Sequence, residues 1–418
     1  MQISDLTQAN QVLKTFTPNK QTTNWTFSLE RMQKFMDALG SPQEKLKIIH
    51  VAGTSGKTST AYYVADMLRQ AGKTVGLTVS PHVDNVNERV QVNGQPMKAA
   101  DFCRLLGEFV DLPAVKEADP SYFGLLIGFA FWAFAELKVD YAVIEVGLGG
   151  RLDSTNVIGR TDKVCVITDI GMDHIAMLGN TIPKIAAEKA GIIQANNHVI
   201  MASQPDEVLN VIKERVTTQA AQLEVLEPAK APKQLPLFQQ RNWFVARAAV
   251  RHLAERDGFE FTEQQAQASA DILIPARMET MQYHGKTLIL DGAHNVQKIT
   301  ALSTSLKEKY PDQKLAALVS FVHDKDDSME EKMTALHQVV DRLIITTFRA
   351  EQDVPKWSID PRVIQTVAQQ VGFDSVEIID TPRQAFQALM QGPEPVVLVT
   401  GSFYLLQNDI RPLIKETA

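Results

Sequence analysis

The segment HVAGTSGKTST places Gly53, Thr54, Ser55, Gly56, Lys57, Thr58 and Ser59 in a row behind an apolar run. Two glycines let a backbone turn its N–H groups toward an anion, and the following segment STAYYVADMLRQAG, with apolar positions at helical spacing, adds the positive end of a helix. Lys57 is then placed to reach the β- and γ-phosphates of a nucleotide, and Thr58 or Ser59 to offer a hydroxyl to Mg²⁺. The common pattern G-x-x-x-x-G-K-[ST] has Val51 where its first glycine belongs, so this loop is a shortened variant beginning at Gly53.

Further acid, imidazole and amine groups follow. YAVIEVGLGG ends an apolar strand on Glu145, directly before a glycine-rich loop. A carboxylate at the carboxyl end of a strand is placed to hold the second side of a phosphate-bound Mg²⁺. VCVITDIGMDHI repeats the arrangement with His174, which the pattern sets at the same sheet edge. IPKIAAEKAGII puts Glu188 and Lys189 late in a helix, where spacing alone says only that lysine suits the helix dipole.

These groups need a scaffold of strands. KIIHVA, TVGLTV, YAVIEVG, KVCVITDIG and HVIMA read as buried strands alternating with helical segments, which predicts an α/β fold with a mostly parallel sheet. The rhythm resets between Ile272 and Ala276. A hairpin is expected around His284-Gly285, then LAALVSF, RLIITTF, SVEIID and PVVLVTGS as a second strand series. The expected division is a P-loop-type ATPase domain over 1–273 and a smaller Rossmann-like α/β domain over 277–418.

Composition limits the function. At 418 residues, two domains are the default. A net charge of −7 argues against general nucleic-acid binding. The two cysteines, Cys103 and Cys165, have no metal-ligand spacing and suit a reducing cytosol as buried apolar residues. YFGLLIGFAFWAFAEL is shorter than the roughly 20 apolar residues that span a bilayer, so a buried helix is expected. The start MQISDLTQAN has no signal-peptide character. A cytoplasmic protein, with no membrane partner, is the expectation.

Taken together, SLERMQKFMDALGSPQEKLKIIHVAGTSGKTS, SPHVDNVNERVQVNG, VDYAVIEVGLGGRLDSTNVI, ITDIGMDHIAMLGNTIPKIAAEKAGII, PARMET, LDGAHN, HDKD, FRA and VTGSFYLL resemble the folylpolyglutamate synthase/dihydrofolate synthase family of the Mur-ligase superfamily. The resemblance implies a Mg²⁺-dependent ligase. ATP would phosphorylate the terminal carboxylate of a folate, and L-glutamate would displace the phosphate, with dihydropteroate as a further acceptor. It also implies two Mg²⁺ sites and a monomer.

Carried over residue by residue, Gly53, Thr54, Ser55, Gly56, Lys57, Thr58 and Ser59 match the nucleotide loop. Thr58, Ser80 and Glu145 match the first metal site, and His174 the second. Lys189 matches a lysine that is often carbamylated in the superfamily. Asn242 matches an adenine-side residue of an H-Q-x-x-N motif in which Phe238 replaces the His. Arg277, Asp291 and His294 match groups acting on nucleotide or glutamate. Pro81, His82, Arg89, Tyr122, Phe123, Asp153, His294 and Ser402 are expected on the substrate side.

Three departures stand out. The loop reads GTSGKTS where relatives commonly read GTNGKGS. F-E-x-x-T reads Phe123-Gly124-Leu125-Leu126-Ile127, without the acid and the hydroxyl. DGAHNP reads DGAHNV, with Val296. Two rivals remain: an amide ligase acting on another carboxylate, and a nucleotide-binding relative without catalysis.

Overall fold

The computed structural model describes residues 1–16, 28–118, 120–227, 231–323, 328–350 and 355–417. Of the HDKD motif, only His323 lies within them. The chain forms two compact units, one of residues 1–235 and 239–272, the other of 236–238 and 273–418.

The first unit is built on an eight-stranded sheet. Its strands are β1 (Lys47–Ala52), β2 (Val75–Thr78), β3 (Gln91–Val92), β4 (Gln95–Pro96), β5 (Tyr141–Glu145), β6 (Val164–Ile167), β7 (His198–Ala202) and β8 (Gln222–Leu226). They lie in the order β4-β3-β2-β5-β1-β6-β7-β8. The run from β2 to β8 is parallel, and β3 and β4 add an antiparallel edge. The central strands read as unbroken apolar runs because helices cover both faces.

One covering layer is aromatic: Phe35, Phe102 and Phe109 pack in one core with Phe129 and Phe134 of the buried helix Tyr122–Glu136. Full burial of each such ring is worth about 2–3 kcal/mol. The other layer joins Ile185, Ile192, Ile193 and Ile212 to β6 and β7. Among the described residues no helix is long and apolar enough to cross a membrane. The apolar run ending at Glu136 is a core helix, as its length predicts.

The second unit carries β9 (Glu279–Tyr283), β10 (Lys286–Leu290), β11 (Leu315–Val319), β12 (Arg342–Ile345), β13 (Arg349–Ala350), β14 (Lys356–Trp357), β15 (Ser375–Ile378) and β16 (Val396–Thr400). Six of them form a sheet in the order β15-β12-β11-β16-β10-β9, while β13 and β14 pair separately. The expected hairpin around His284-Gly285 joins antiparallel β9 and β10. The other pairings in that sheet are parallel. Phe238 packs against this unit's core. The aromatic that replaces the motif's histidine therefore has a packing role.

Candidate functional site

Ser80, Glu145, the phosphate loop and the 168–174 segment lie at or just beyond the carboxyl ends of β2, β5, β1 and β6, which are adjacent in the sheet. The parallel order alone therefore gathers residues as far apart as Gly53 and His174 at one edge, where open α/β sheets bind ligands.

The loop itself is shaped by two glycines. Gly56 caps the helix Lys57–Gln70 at φ +88°, and a Cβ there would overlap the Asn242 side-chain oxygen. A Cβ on Gly53 would overlap the Thr168 hydroxyl. Any larger residue would push the loop off the neighbouring segment. Lys57 folds back over the loop, with Nζ donating to the Gly53 carbonyl at 3.0 Å and the Thr54 carbonyl at 3.4 Å. Lys189, only 3% exposed, donates to the same Gly53 oxygen at 2.8 Å. The two amines thus converge on one carbonyl, which spacing did not reveal for Lys189.

Glu145 is 2% exposed and joins three expected metal-site positions. Its Oε1 accepts from the Thr58 hydroxyl at 2.8 Å, and its Oε2 accepts from the Ser80 amide at 2.9 Å. Carboxylate and hydroxyl oxygens are the donor types Mg²⁺ takes, with phosphates and water completing its shell. The residues present fit that ion. His174 is different: it stands in left-handed backbone at φ +47°, with a 48% exposed ring and the Asp173 carboxylate 3.7 Å away. Its segment is tied to the phosphate loop through Thr54 Oγ1, which donates to the Gly171 carbonyl at 3.0 Å.

The Ser80–Arg89 segment is held by a residue not singled out from sequence. Glu88 accepts from the amides of Val83, Asp84 and Asn85 at 2.7, 2.8 and 2.7 Å. The signal existed, since Asn85-Val86-Asn87-Glu88 has the spacing of a capping box. Within this segment the Arg89 guanidinium donates to His82 Nδ1 at 3.2 Å, so the ring proton sits on Nε2. Burial, reinforced by Arg89, pushes the His82 pKa down to about 3 and keeps the ring neutral.

Asp153 holds its own loop. Its carboxylate accepts from the Leu148 amide at 2.8 Å, and from the Thr155 amide and hydroxyl at 2.9 and 2.6 Å. Burial raises its pKa against these bonds. Tyr122 is buried at the start of the aromatic helix, while the Phe123 ring covers Gly147 so closely that a Cβ there would overlap it. At the departure Gly124, a Cβ would meet Ser121 Oγ at 3.2 Å and Met32 Sδ at 3.4 Å. The place of the family's acid is walled by a thioether, and Ile127 beside it is core.

In the second unit, Asp291 is buried beside Arg277 and accepts from the Met278 and Ala293 amides at 2.6 and 2.7 Å. Burial pushes its pKa up to about 6. The Arg277 guanidinium lies 4.5 Å from the centre of the Phe403 ring. His294 Nδ1 donates to the Gly292 carbonyl at 2.8 Å, and its Nε2 accepts from Lys298 Nζ at 3.0 Å. Each partner has a single role, so the tautomer is fixed. Lys298 was not expected from sequence, although it stands one helical turn beyond His294. Ser402 is buried and caps its own turn by accepting from the Tyr404 amide at 3.1 Å.

Comparison with known proteins follows the same division. Residues 276–403 match the family model described as Mur ligase, glutamate ligase domain. The dihydrofolate synthase/folylpolyglutamate synthase of Bacillus subtilis is 31% identical, over 93% of this chain and 95% of its own length. Among solved structures, a Mycobacterium tuberculosis folylpolyglutamate synthase complexed with ADP and AMPPCP has 28% identity and a TM-score of 0.82, covering 96% of each chain. FolC of E. coli, in complex with DHPP and ADP, has 25% identity and a TM-score of 0.83, covering 99% of each chain.

Proposed function

The chain belongs to the folylpolyglutamate synthase/dihydrofolate synthase family, and on that premise we propose that it joins L-glutamate to the terminal carboxylate of a folate, converting ATP to ADP and phosphate. A carboxylate cannot expel oxide, so it must first be activated. An acceptor oxygen attacks the γ-phosphorus, ADP leaves, and an acyl phosphate forms. The glutamate amine then attacks the carbonyl carbon, loses its extra proton and expels phosphate as the amide forms. The same steps on dihydropteroate would yield dihydrofolate.

The residues supply positioning and charge, which is most of what such chemistry needs. The Gly56 amide, the N-terminus of the helix Lys57–Gln70 and the Lys57 ammonium would hold the phosphates, while the Thr54 and Ser55 amides, bonded to the Asp169 carbonyl, would set the loop's shape. Thr58, Ser80 and Glu145 would hold one Mg²⁺ and His174 a second. The ion's contribution, once bound, is to neutralise charge on the transferred phosphoryl group. Lys189 suits carbamylation. CO₂ addition would turn one of two amines meeting at the Gly53 carbonyl into an anion within reach of Lys57. Asn242, against Gly56, would lie on the adenine side. Arg277, Asp291, His294 and Ser402 would act on nucleotide or glutamate, while Pro81, His82, Arg89, Tyr122 and Phe123 would contact the acceptor. Asp153 would act there by shaping the glycine-rich loop.

One observation carries the reading. Glu145 is fixed between the Thr58 hydroxyl and the Ser80 amide, directly beside a phosphate loop. The test is incubation of purified protein with ATP, Mg²⁺, [¹⁴C]glutamate and either tetrahydrofolate or dihydropteroate. ATP-dependent label in the pteridine product is the expected result. Absence of label with every folate overturns the assignment, and label on dihydropteroate establishes the second activity.

A further inference from the structure

We propose that Arg241 is a positioning residue for the phosphate loop, acting through Asp169; the proposal rests on the reading that this loop binds the phosphates of ATP. Two loop amides, of Thr54 and Ser55, donate to the Asp169 carbonyl at 2.7 and 3.1 Å. Thr54 Oγ1 donates to the Gly171 carbonyl at 3.0 Å and accepts from the Gly171 amide at 3.2 Å. The loop therefore takes its shape from residues 168–171, a segment that is itself irregular.

Two side chains hold that segment in turn. Gln204 accepts from the Ile170 amide at 2.8 Å and donates to the Thr168 carbonyl at 3.2 Å. Arg241 donates to Asp169 Oδ1 at 2.7 Å and to the Ser203 carbonyl at 3.0 Å, bridging the segment to the end of β7. Among the described residues Arg241 is the one ion-pair partner of Asp169. Burial raises the Asp169 pKa and Arg241 opposes it, so loss of the guanidinium leaves that carboxylate uncompensated. Asn242, the next residue, lies against Gly56. One stretch of helix thus fixes both ends of the loop: Thr54 and Ser55 through Arg241, and Gly56 through Asn242.

The experiment is calorimetric titration with AMPPCP and Mg²⁺, which needs no turnover. Arg241→Met is expected to raise the Kd about five- to tenfold, Arg241→Lys to fall between it and the parent, and Asp169→Ala to match Arg241→Met. The Arg241→Met/Asp169→Ala double variant should lose no more than either single one. At saturating ATP, kcat and the acceptor KM should stay within twofold of the parent. An unchanged Kd in Arg241→Met overturns the proposal, as do additive losses in the double variant or equal losses of nucleotide and acceptor affinity. Thermal unfolding of each variant identifies general destabilisation, and Asp169→Ala carries the test if Arg241→Met does not fold. Parent protein that binds AMPPCP but ligates no glutamate would remove the proposed function and leave this inference standing.

Discussion

The two units hold their reactive groups by different means. In the first, the bonds that fix the site cross long stretches of chain: 87 positions between Thr58 and Glu145, 136 between Lys189 and Gly53, and 117 between Thr54 and Gly171. In the second, the bonds to the Asp291 carboxylate and the His294 ring are local, with 13 positions between Met278 and Asp291, two from His294 to Gly292, and four from Lys298 to His294, although the Gly401 amide also ties the Ala293 carbonyl between them. A site assembled by sheet order depends on the whole sheet. Side chains held at a strand end and the following helix start depend mostly on one turn and its cap.

The largest effect should come from breaking the long-range site at its charge. Lys57→Ala removes the ammonium over the phosphate loop and should lower kcat on the order of 10³-fold. The unfolding midpoint should barely move, because the lysine bonds only carbonyls of its own loop. Single-turnover assays with circular dichroism melts check both halves. A variant that melts early would mean that Lys57 also holds the fold.

Thr58→Val tests the long-range dependence more directly. It leaves Glu145 without one of its hydrogen bonds inside the sheet edge, which should cost about 1–3 kcal/mol of stability as well as Mg²⁺ affinity. Denaturant titration with and without Mg²⁺-nucleotide measures both. Loss of metal affinity at unchanged stability would make the bond incidental to the fold.

One buried group in each unit should also give opposite pH trends. In the first, His252 stacks on His198 with ring centroids 3.6 Å apart, and its pKa is lowered to about 4 by burial, then by His198 and Arg256. The unfolded chain takes up that proton near pH 6.5, so this contribution to stability is present above 6.5 and is lost as pH falls toward 4. In the second, Asp291 has its pKa raised to about 6 from 3.8. The folded unit binds more protons between those values, so stability declines as pH rises from about 4 to 6. His252→Phe should flatten the first trend and Asp291→Asn the second, as read by unfolding of the full chain at stepped pH. Like slopes from both residues would overturn the contrast.

The same difference explains what could be read in the sequence. Period and composition located β1, β5, β7 and the hairpin around His284-Gly285, because each is a contiguous pattern. The shortened phosphate loop announced itself for the same reason. The edge strand β8 and the short pair β3 and β4 passed unrecognised, being half-exposed or two residues long. Lys189 looked like an ordinary helix end, since its contact with Gly53 depends on strand order. The Arg241–Asp169 pair left no trace either, because no local pattern links a helix residue to a loop at a distant strand end. Glu88 and Lys298 are the reverse case, with spacings that carried a capping signal and a one-turn signal.

The smallest effect should come from the local site, at Lys298. Its ammonium donates to His294 Nε2, while the Gly292 carbonyl holds Nδ1 independently. Lys298→Met should therefore leave the ring in place and take away its Nε2 donor, a hydrogen bond worth about 0.5–1.5 kcal/mol, or roughly two- to tenfold in kcat/KM for glutamate. Stability should stay within about 0.5 kcal/mol, since Lys298 is half-buried near the start of its helix and is not part of the unit's hydrophobic core. If His294 instead depended on a long-range network, as Glu145 does, the loss would reach the size seen for Thr58→Val and would include stability. Comparing the two variants in one denaturant series and one assay decides whether the local site is as self-contained as its short spacings imply.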